Sequence, residues 1–250
     1  MKMKVSLKPK NSDRVELDVP TFFYGTAWKE EATASLTQQA LEVGFTAIDT
    51  ANQRKHYYEE AVGHGLQSFL KSGTKKREEL FIQTKYTYSR GQDHRKPYDE
   101  DASYAQQVKQ SFASSLGHLG VEYLDSYILH GPFGVGLQQE DLEVWSVFEE
   151  LYHAGKTKLL GVSNFQRSQL ESLLRQVKTK PSFVQNRCFA VQGWDKGVRE
   201  LCQQEGIIYQ GFSLLTANQR ELASSVIHNI ATKHQITIPQ VIFCFARQVG

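Results

Sequence analysis

The stretch GFTAIDTANQRKHYYEEAVG, residues 44–63, contains the change of pattern on which the fold prediction rests. A mostly apolar run from Phe45 to Ile48 ends in the acid Asp49, and a short polar stretch follows. Three rings come next: His56, Tyr57 and Tyr58. A helix-like pattern then begins at Glu59. The stretch predicts a strand, a loop with ionisable side chains and a helix, and it raises the question of which ring moves a proton.

The same alternation of short apolar runs and amphipathic stretches continues along the chain. The candidate strands are Thr21–Gly25, Ala47–Thr50, Leu80–Thr84, Leu124–Leu129, Thr157–Val162, Phe183–Asn186 and Ile207–Phe212. Residues at helical spacing are Tyr104, Val108, Phe112 and Leu116, then Leu142, Trp145, Phe148 and Leu151, and then Leu222, Val226 and Ile230. Unbroken apolar strands are typical of strands covered on both faces. Alternation with helices predicts βαβ units and a parallel sheet.

Polar or charged residues follow the predicted strands at their C-terminal ends: Asp49, Lys85, His130, Asn164, Gln185 and Ser213. An open doubly wound sheet would spread these positions along a line, whereas a barrel gathers them around one mouth. No Gly-x-Gly-x-x-Gly follows the first strand, which disfavours a Rossmann site. We therefore predict a (β/α)8 barrel of the TIM type, in one domain over residues 1–250.

Composition excludes several other classes of protein. The chain has 250 residues, 40% of them hydrophobic and 22% charged, with a formal net charge of +2. This charge is too small to indicate a nucleic-acid or membrane-surface partner. The three cysteines have no metal-type spacing, so we expect no metal site, reduced thiols and a cytoplasmic location. No apolar stretch approaches the roughly 20 residues that span a bilayer.

The residues at the predicted mouth can form a proton donor. Asp49 and Lys85 come from neighbouring strands and are expected to pair, since either charge alone would be costly to bury. A structural salt bridge without a catalytic role is the alternative explanation for these two residues. With His130 and a nearby tyrosine the group becomes a general acid, because a neighbouring ammonium lowers the pKa of a phenol.

These segments resemble the aldo-keto reductases, a family of NAD(P)H-dependent (β/α)8 barrels, over nearly the whole chain. The segments that carry the resemblance are GFTAIDTA (44–51), LFIQTK (80–85), YLDSYILHGP (123–132), GKTKLLGVSNF (155–165), FVQNRC (183–188) and YQGFSLL (209–215). The resemblance implies reduction of an aldehyde or ketone by hydride transfer from NADPH. A different barrel enzyme, such as a hydrolase or aldolase, would leave GVSNF (161–165) and YQGFS (209–213) unexplained.

The resemblance also implies roles for individual residues. Asp49, Lys85 and His130 would be catalytic, together with one tyrosine. Ser163, Asn164 and Gln185 would hydrogen-bond the nicotinamide carboxamide, and Phe212 would stack on the ring. Ser213 and Leu215 would follow the pyrophosphate, and Gly25, Thr26 and Asp49 would lie near the nicotinamide ribose. The alternatives for Phe212 and Gln185 are a core aromatic residue and a buried structural amide.

The position of the proton donor departs from the family pattern. Members of the family usually place the tyrosine five residues after the aspartate and seven before a glycine, which here gives Arg54 and His56. About two extra residues therefore lie in the loop. We predict Tyr57 as the donor, because a lysine beside a phenol suits the chemistry. His56 is the main rival, and Tyr58 is a third candidate.

Two further departures concern the rim and the end of the barrel. The loop TYSRGQDHRKPYDE (87–100) is predicted to lie at the surface or to supply an anion-binding Arg95 to the pocket. Seven strands are visible, and the chain ends at Gly250, where an eighth strand is expected; we therefore expect an incomplete barrel. The segment that distinguishes NADPH from NADH is not in the sequence. The alternative function is a non-catalytic NADP(H)-binding sensor or scaffold, and the oligomeric state stays open.

Overall fold

The computed structural model describes residues 18–250 and contains one seven-stranded sheet in which every neighbouring pair is parallel. The strands lie side by side in chain order: β1 Tyr24–Gly25, β2 Ala47–Asp49, β3 Phe81–Tyr86, β4 Leu124–Leu129, β5 Thr157–Ser163, β6 Phe183–Arg187 and β7 Ile208–Phe212. All seven predicted strands are present. The first is shorter than predicted, since it begins at Tyr24 and not at Thr21.

Nine α-helices are present in residues 18–250. They are α1 Thr33–Glu42, α2 Glu59–Lys71, α3 Tyr104–Leu119, α4 Gln139–His153, α5 Arg167–Gln176, α6 Lys196–Glu205, α7 Gln219–Leu222, α8 Ser225–His234 and α9 Ile238–Val249. The first six each join two successive strands, as βαβ units require. Leu222 and Val226 fall in different helices, because Ser224 is extended and its hydroxyl caps α8. None of the helices in this part of the chain is long and apolar enough to span a bilayer.

The sheet buries apolar side chains on both faces. Its outer face packs on the helices and forms the larger cluster, which includes Ile82, Tyr127 and Val162. Its inner face forms a smaller cluster in which residues from five strands meet: Ala47, Phe81, Ile128, Leu159 and Phe183. The rings of Phe81 and Phe183 lie 6.0 Å apart although β3 and β6 are not neighbours in the sheet. The sheet is therefore curled around an interior, as in a barrel.

The curled sheet is an incomplete barrel, as predicted. Within residues 18–250, β1 and β7 each pair with one strand only, so an open seam separates them. Helix α9 lies between the two sides of this seam. Its Phe243 contacts Phe22 before β1, with ring centroids 4.7 Å apart, and its Phe245 contacts Trp194, with centroids 4.9 Å apart.

Helix α2 is held against β3 and α3 by a buried carboxylate. Glu59, the first residue of α2, is 4% exposed and accepts a hydrogen bond from the Thr84 hydroxyl. Its second oxygen lies 3.0 Å from Nδ1 of His118 on α3. This bond and the negative charge of Glu59 hold the pKa of His118 above its usual value, against the effect of burial. Because Thr84 precedes Lys85, the start of α2 is fixed next to that lysine.

A methyl group at Gly63 is expected to separate α2 from α3. A Cβ at this position would lie 1.8 Å from the backbone oxygen of His118. Gly63→Ala should lower the free energy of unfolding by about 1–3 kcal/mol, measured by urea denaturation. Gly117→Ala on α3 is the control, because a Cβ there meets no atom within 4 Å. It should be neutral or stabilising, and equal effects of the two changes would contradict the packing argument.

The Glu59–His118 pair should make stability depend on pH. The pKa of His118 is higher in the folded protein than in the unfolded chain, where it is about 6.5. The pair therefore contributes its full stabilisation of the fold below about pH 6.5. This stabilisation is lost as the pH rises through the pKa of His118 in the folded protein. We therefore expect His118→Asn to lower the melting temperature most in weak acid and less at alkaline pH. His228→Asn, on the exposed face of α8, is the control. A difference from wild type that does not change with pH would rule the pair out.

Candidate active site

A buried ion pair joins β2 and β3 at the mouth of the barrel. The ammonium of Lys85 is completely buried, and its Nζ lies 2.7 Å from each carboxylate oxygen of Asp49 and 2.7 Å from the Thr50 carbonyl oxygen. Burial disfavours the charged lysine, but Asp49 and then Tyr57 favour it and together hold the pKa of Lys85 above its usual value. The expected pairing of Asp49 with Lys85 is present.

Amide side chains provide further donors to Asp49. Nε2 of Gln83 lies 2.7 Å and Nε2 of Gln185 lies 3.1 Å from Asp49 Oδ1. Gln83 was not predicted as a site residue from the sequence, although it lies two residues before Lys85 on the same strand. Side chains two apart point to the same face of a strand. This spacing was the signal that could have placed Gln83 in the interior.

Tyr57 is the ring that lies against the ion pair. Lys85 Nζ is 5.1 Å from the centroid of the Tyr57 ring, and the His130 ring centroid is 5.8 Å from it. Burial raises the pKa of Tyr57, and this effect outweighs the opposite effect of Lys85. Lys85 thus lowers the pKa of the phenol as expected, but the net shift of the Tyr57 pKa is upward because the ring is withdrawn from water.

The two rival rings lie elsewhere on the rim. The His56 imidazole lies against the indole of Trp28, with ring centroids 4.2 Å apart. Burial, and then the charge of Lys55, lower the pKa of His56. The Tyr58 ring lies under the guanidinium of Arg54, 4.0 Å from its centroid. The extra residues of the loop thus bring Tyr57, and not the residue counted back from Gly63, next to Lys85.

His130 follows β4 and is fixed by its neighbours. Its Nδ1 lies 2.6 Å from the Thr87 hydroxyl, and its carbonyl accepts a hydrogen bond from the Asn164 side chain at 2.8 Å. Burial, followed by the electrostatic effects of Lys85 and His56, holds the pKa of His130 well below its usual range. The ring is therefore neutral at pH 7. When Thr87 donates to Nδ1, the ring proton lies on Nε2.

The predicted carboxamide-binding residues come together at the ends of β5 and β6. The Ser163 hydroxyl donates to the Gln185 carbonyl at 2.6 Å, and Asn164 Nδ2 lies 3.1 Å from Ser163 Oγ. Asn164 has a φ of 59°, in the left-handed region that asparagine tolerates better than most residues. Asn and Gln side chains supply both donors and acceptors, as a carboxamide requires.

One cavity of about 810 Å³ connects these groups with the seam. It is lined by the site residues Gly25, Asp49, Tyr57, His130, Ser163, Asn164, Gln185, Phe212, Ser213 and Leu215. Residues of α9 complete the wall, among them Phe243 and Val249. Thr26 and Lys85 are predicted site residues with completely buried side chains that do not line this cavity. The Thr26 hydroxyl donates to the Asp49 carbonyl at 2.9 Å.

The rim loop 87–100 is anchored by buried tyrosines and is not a solvated loop throughout. Tyr88 and Tyr98 are 4% and 8% exposed, and the Tyr98 hydroxyl donates to the Thr87 carbonyl at 2.6 Å. Arg95 forms an ion pair with Asp93 at the surface. The arginine proposed for anion binding is thus already paired, and the loop instead supports Thr87 behind His130. In residues 18–250, no group of three or more His, Cys, Asp or Glu side chains is placed to hold a metal ion.

The sequence and the fold both match known proteins. The model of the aldo/keto reductase family matches residues 21–246. Glyoxal reductase of Bacillus subtilis is 34% identical over 251 residues, which cover 99% of this chain and 82% of that protein. The chain belongs to the aldo/keto reductase family. It is an oxidoreductase of the type that uses NAD(P)H.

Other relatives and solved structures agree with this assignment. Aldo-keto reductase family 1 member C15 of Rattus norvegicus is 30% identical over 281 residues, which cover 96% of this chain and 81% of that protein. The crystal structure of an aldo/keto reductase from Brucella melitensis superposes with a TM-score of 0.81 at 25% identity, covering 100% of this chain and 86% of that one. A silkworm (Bombyx mori) aldo-keto reductase complexed with NADPH has the same fold, with a TM-score of 0.80 at 24% identity. That match covers 100% of this chain and 78% of the silkworm chain.

Removing the charge of Asp49 should destabilise the fold. Asp49→Asn leaves the ammonium of Lys85 buried without a counter-ion, and we expect a loss of about 3 kcal/mol in the free energy of unfolding. Urea denaturation at neutral pH measures it. Asp93→Asn, which breaks the exposed pair with Arg95, is the matched control and should leave stability unchanged. An equally small effect at Asp49 would show that the buried pair is not needed for folding.

Proposed function

We propose that the protein reduces a small aldehyde or ketone to an alcohol with NADPH, and that Tyr57 donates the proton. The observation that carries this proposal is that one phenol in the wall of the cavity, that of Tyr57, contacts both Lys85 and His130. The same cavity holds the carboxamide-type donors and an aromatic ring. No other ring of the 56–58 cluster lies against the lysine in residues 18–250.

The residues present fit a nicotinamide cofactor. Asn164 and Gln185 offer amide groups for its carboxamide, and Phe212 offers a flat apolar partner for its ring. Ser213, with a φ of 59°, turns the chain directly after β7. Backbone N–H groups in such turns suit an anion, so this turn is the proposed contact for the pyrophosphate. When bound, the cofactor supplies a hydride from its nicotinamide ring to the carbonyl carbon.

The protein's own residues handle the proton. The raised pKa of Tyr57 keeps its phenol protonated at neutral pH, ready to donate to the carbonyl oxygen as negative charge develops there. The phenolate left behind is stabilised by the Lys85 ammonium, whose charge Asp49 maintains. Neutral His130, with its proton on Nε2, donates a hydrogen bond that orients the substrate oxygen.

The substrate proposed for testing first is a short reactive aldehyde. The relative at 34% identity is a glyoxal reductase, and its match extends over nearly the whole of this chain. Glyoxal and 4-nitrobenzaldehyde therefore form a suitable first pair of substrates. A preference for glyoxal would indicate a site for small dicarbonyl compounds.

The first experiment has two parts. NADPH binding is measured by fluorescence titration, and oxidation of NADPH is measured in the presence of each aldehyde. We expect Tyr57→Phe to reduce kcat at least about 100-fold with little change in the Kd for NADPH. His56→Phe is the matched control and should keep kcat within about threefold of wild type. The reverse result would assign the proton to His56. Binding without turnover in the wild type would instead favour the non-catalytic sensor or scaffold.

A further inference from the structure

Three glutamines form a hydrogen-bonded group in the interior of the barrel. Gln83 lies on β3, and Gln185 and Gln210 lie on the successive strands β6 and β7. Nε2 of Gln83 and Nε2 of Gln185 lie 2.9 Å and 3.2 Å from Oε1 of Gln210. The bond between Gln83 and Gln210 crosses the interior from β3 to β7, which are not neighbours in the sheet. We call these three residues the glutamine group.

Two members of the glutamine group each donate one hydrogen bond to the same acid, Asp49. A primary amide has two donor hydrogens. Gln83 directs one to Asp49 Oδ1, at 2.7 Å, and one to Gln210. Gln185 does the same, at 3.1 Å from Asp49 Oδ1. Both amides are buried, with exposures of 0% and 8%. One oxygen of Asp49 thus accepts hydrogen bonds from two amides in addition to Lys85.

We propose that the glutamine group is a relay that transmits occupancy of the cofactor site at Gln185 to the Asp49–Lys85 pair. The inference rests on the proposed function, in which Gln185 contacts the nicotinamide carboxamide. Both donor hydrogens of Gln185 are in use, so donation to a carboxamide requires it to release one of its partners. The relay requires that the released partner is Asp49. Gln83 and Gln210 do not touch the reacting atoms in this scheme and are positioning residues.

Release of Asp49 by Gln185 changes the charge that faces Tyr57. The groups around this phenol are Lys85 on β3, Asp49 on β2 and His130 directly after β4. Glu59 on α2 also raises the pKa of Lys85, and His56 lowers the pKa of His130. Within residues 18–250, Asp49 is the member of this set that the amides contact. With fewer donors, its negative charge is less compensated, so the phenol of Tyr57 holds its proton to higher pH.

Gln83→Met tests the relay, because it removes one amide donor from Asp49 and puts an apolar side chain of similar length in its place. The pH dependence of kcat/KM for the aldehyde is measured at saturating NADPH. We expect its alkaline limb to shift to higher pH by about half a pH unit. The Kd for NADPH should stay within about threefold of wild type. Gln38→Met on α1, where the amide bonds only to Glu42 among the described residues, is the matched control. A lower melting temperature with an unmoved alkaline limb would overturn the proposal.

A titration without cofactor separates this proposal from the proposed function. The absorbance of tyrosinate is titrated in the wild type and in Gln83→Met. In each case the curve of the same protein with Tyr57→Phe is subtracted, which leaves the titration of Tyr57. A higher midpoint in Gln83→Met supports the relay even where the protein does not oxidise NADPH. An unchanged midpoint overturns the relay even where the reductase activity is present. If Gln83→Met does not fold, Gln83→Leu takes its place, because it also removes the donor to Asp49, and a shift in the same direction is expected.

Discussion

A completely buried lysine is the constraint on which the rest of the site depends. An ammonium without contact to water must have its charge and its donors satisfied by the protein. Lys85 meets this requirement with three oxygens, all supplied by two successive residues of the chain, Asp49 and Thr50. The requirement fixes β3 against the end of β2 and creates one concentrated positive charge at the mouth of the barrel.

The surroundings of Lys85 follow from this fixed point. Thr84, the residue before it, points to the outer face of the sheet and binds Glu59 at the start of α2. The ring cluster that directly precedes α2 is thereby held near the lysine from outside the barrel. The amides of Gln83 and Gln185 approach the same ion pair from inside. Both faces of the sheet thus contribute to the position of the proposed proton donor.

The open seam forms part of the boundary of the site. The barrel mouth and the space between β1 and β7 belong to one cavity, and α9 forms part of its wall. Two contacts of α9, Phe243 on Phe22 and Phe245 on Trp194, connect the two sides of the seam. The bond between Gln83 and Gln210 connects β7 to β3 through the interior. Packing and hydrogen bonding together therefore keep the seven strands curled.

The sequence by itself determined the strands, their parallel order and the meeting of Asp49, Lys85, His130, Asn164 and Gln185, because polar residues at the ends of parallel strands converge. It did not decide which ring faces Lys85, since a loop with two extra residues can present any of three neighbours. It also missed the buried Tyr88 and Tyr98 and the contact of Gln83 with Gln210, which joins residues 127 positions apart. The net direction of the Tyr57 pKa was decided only by the tertiary structure, because burial depends on how distant segments pack and not on the nearest charge.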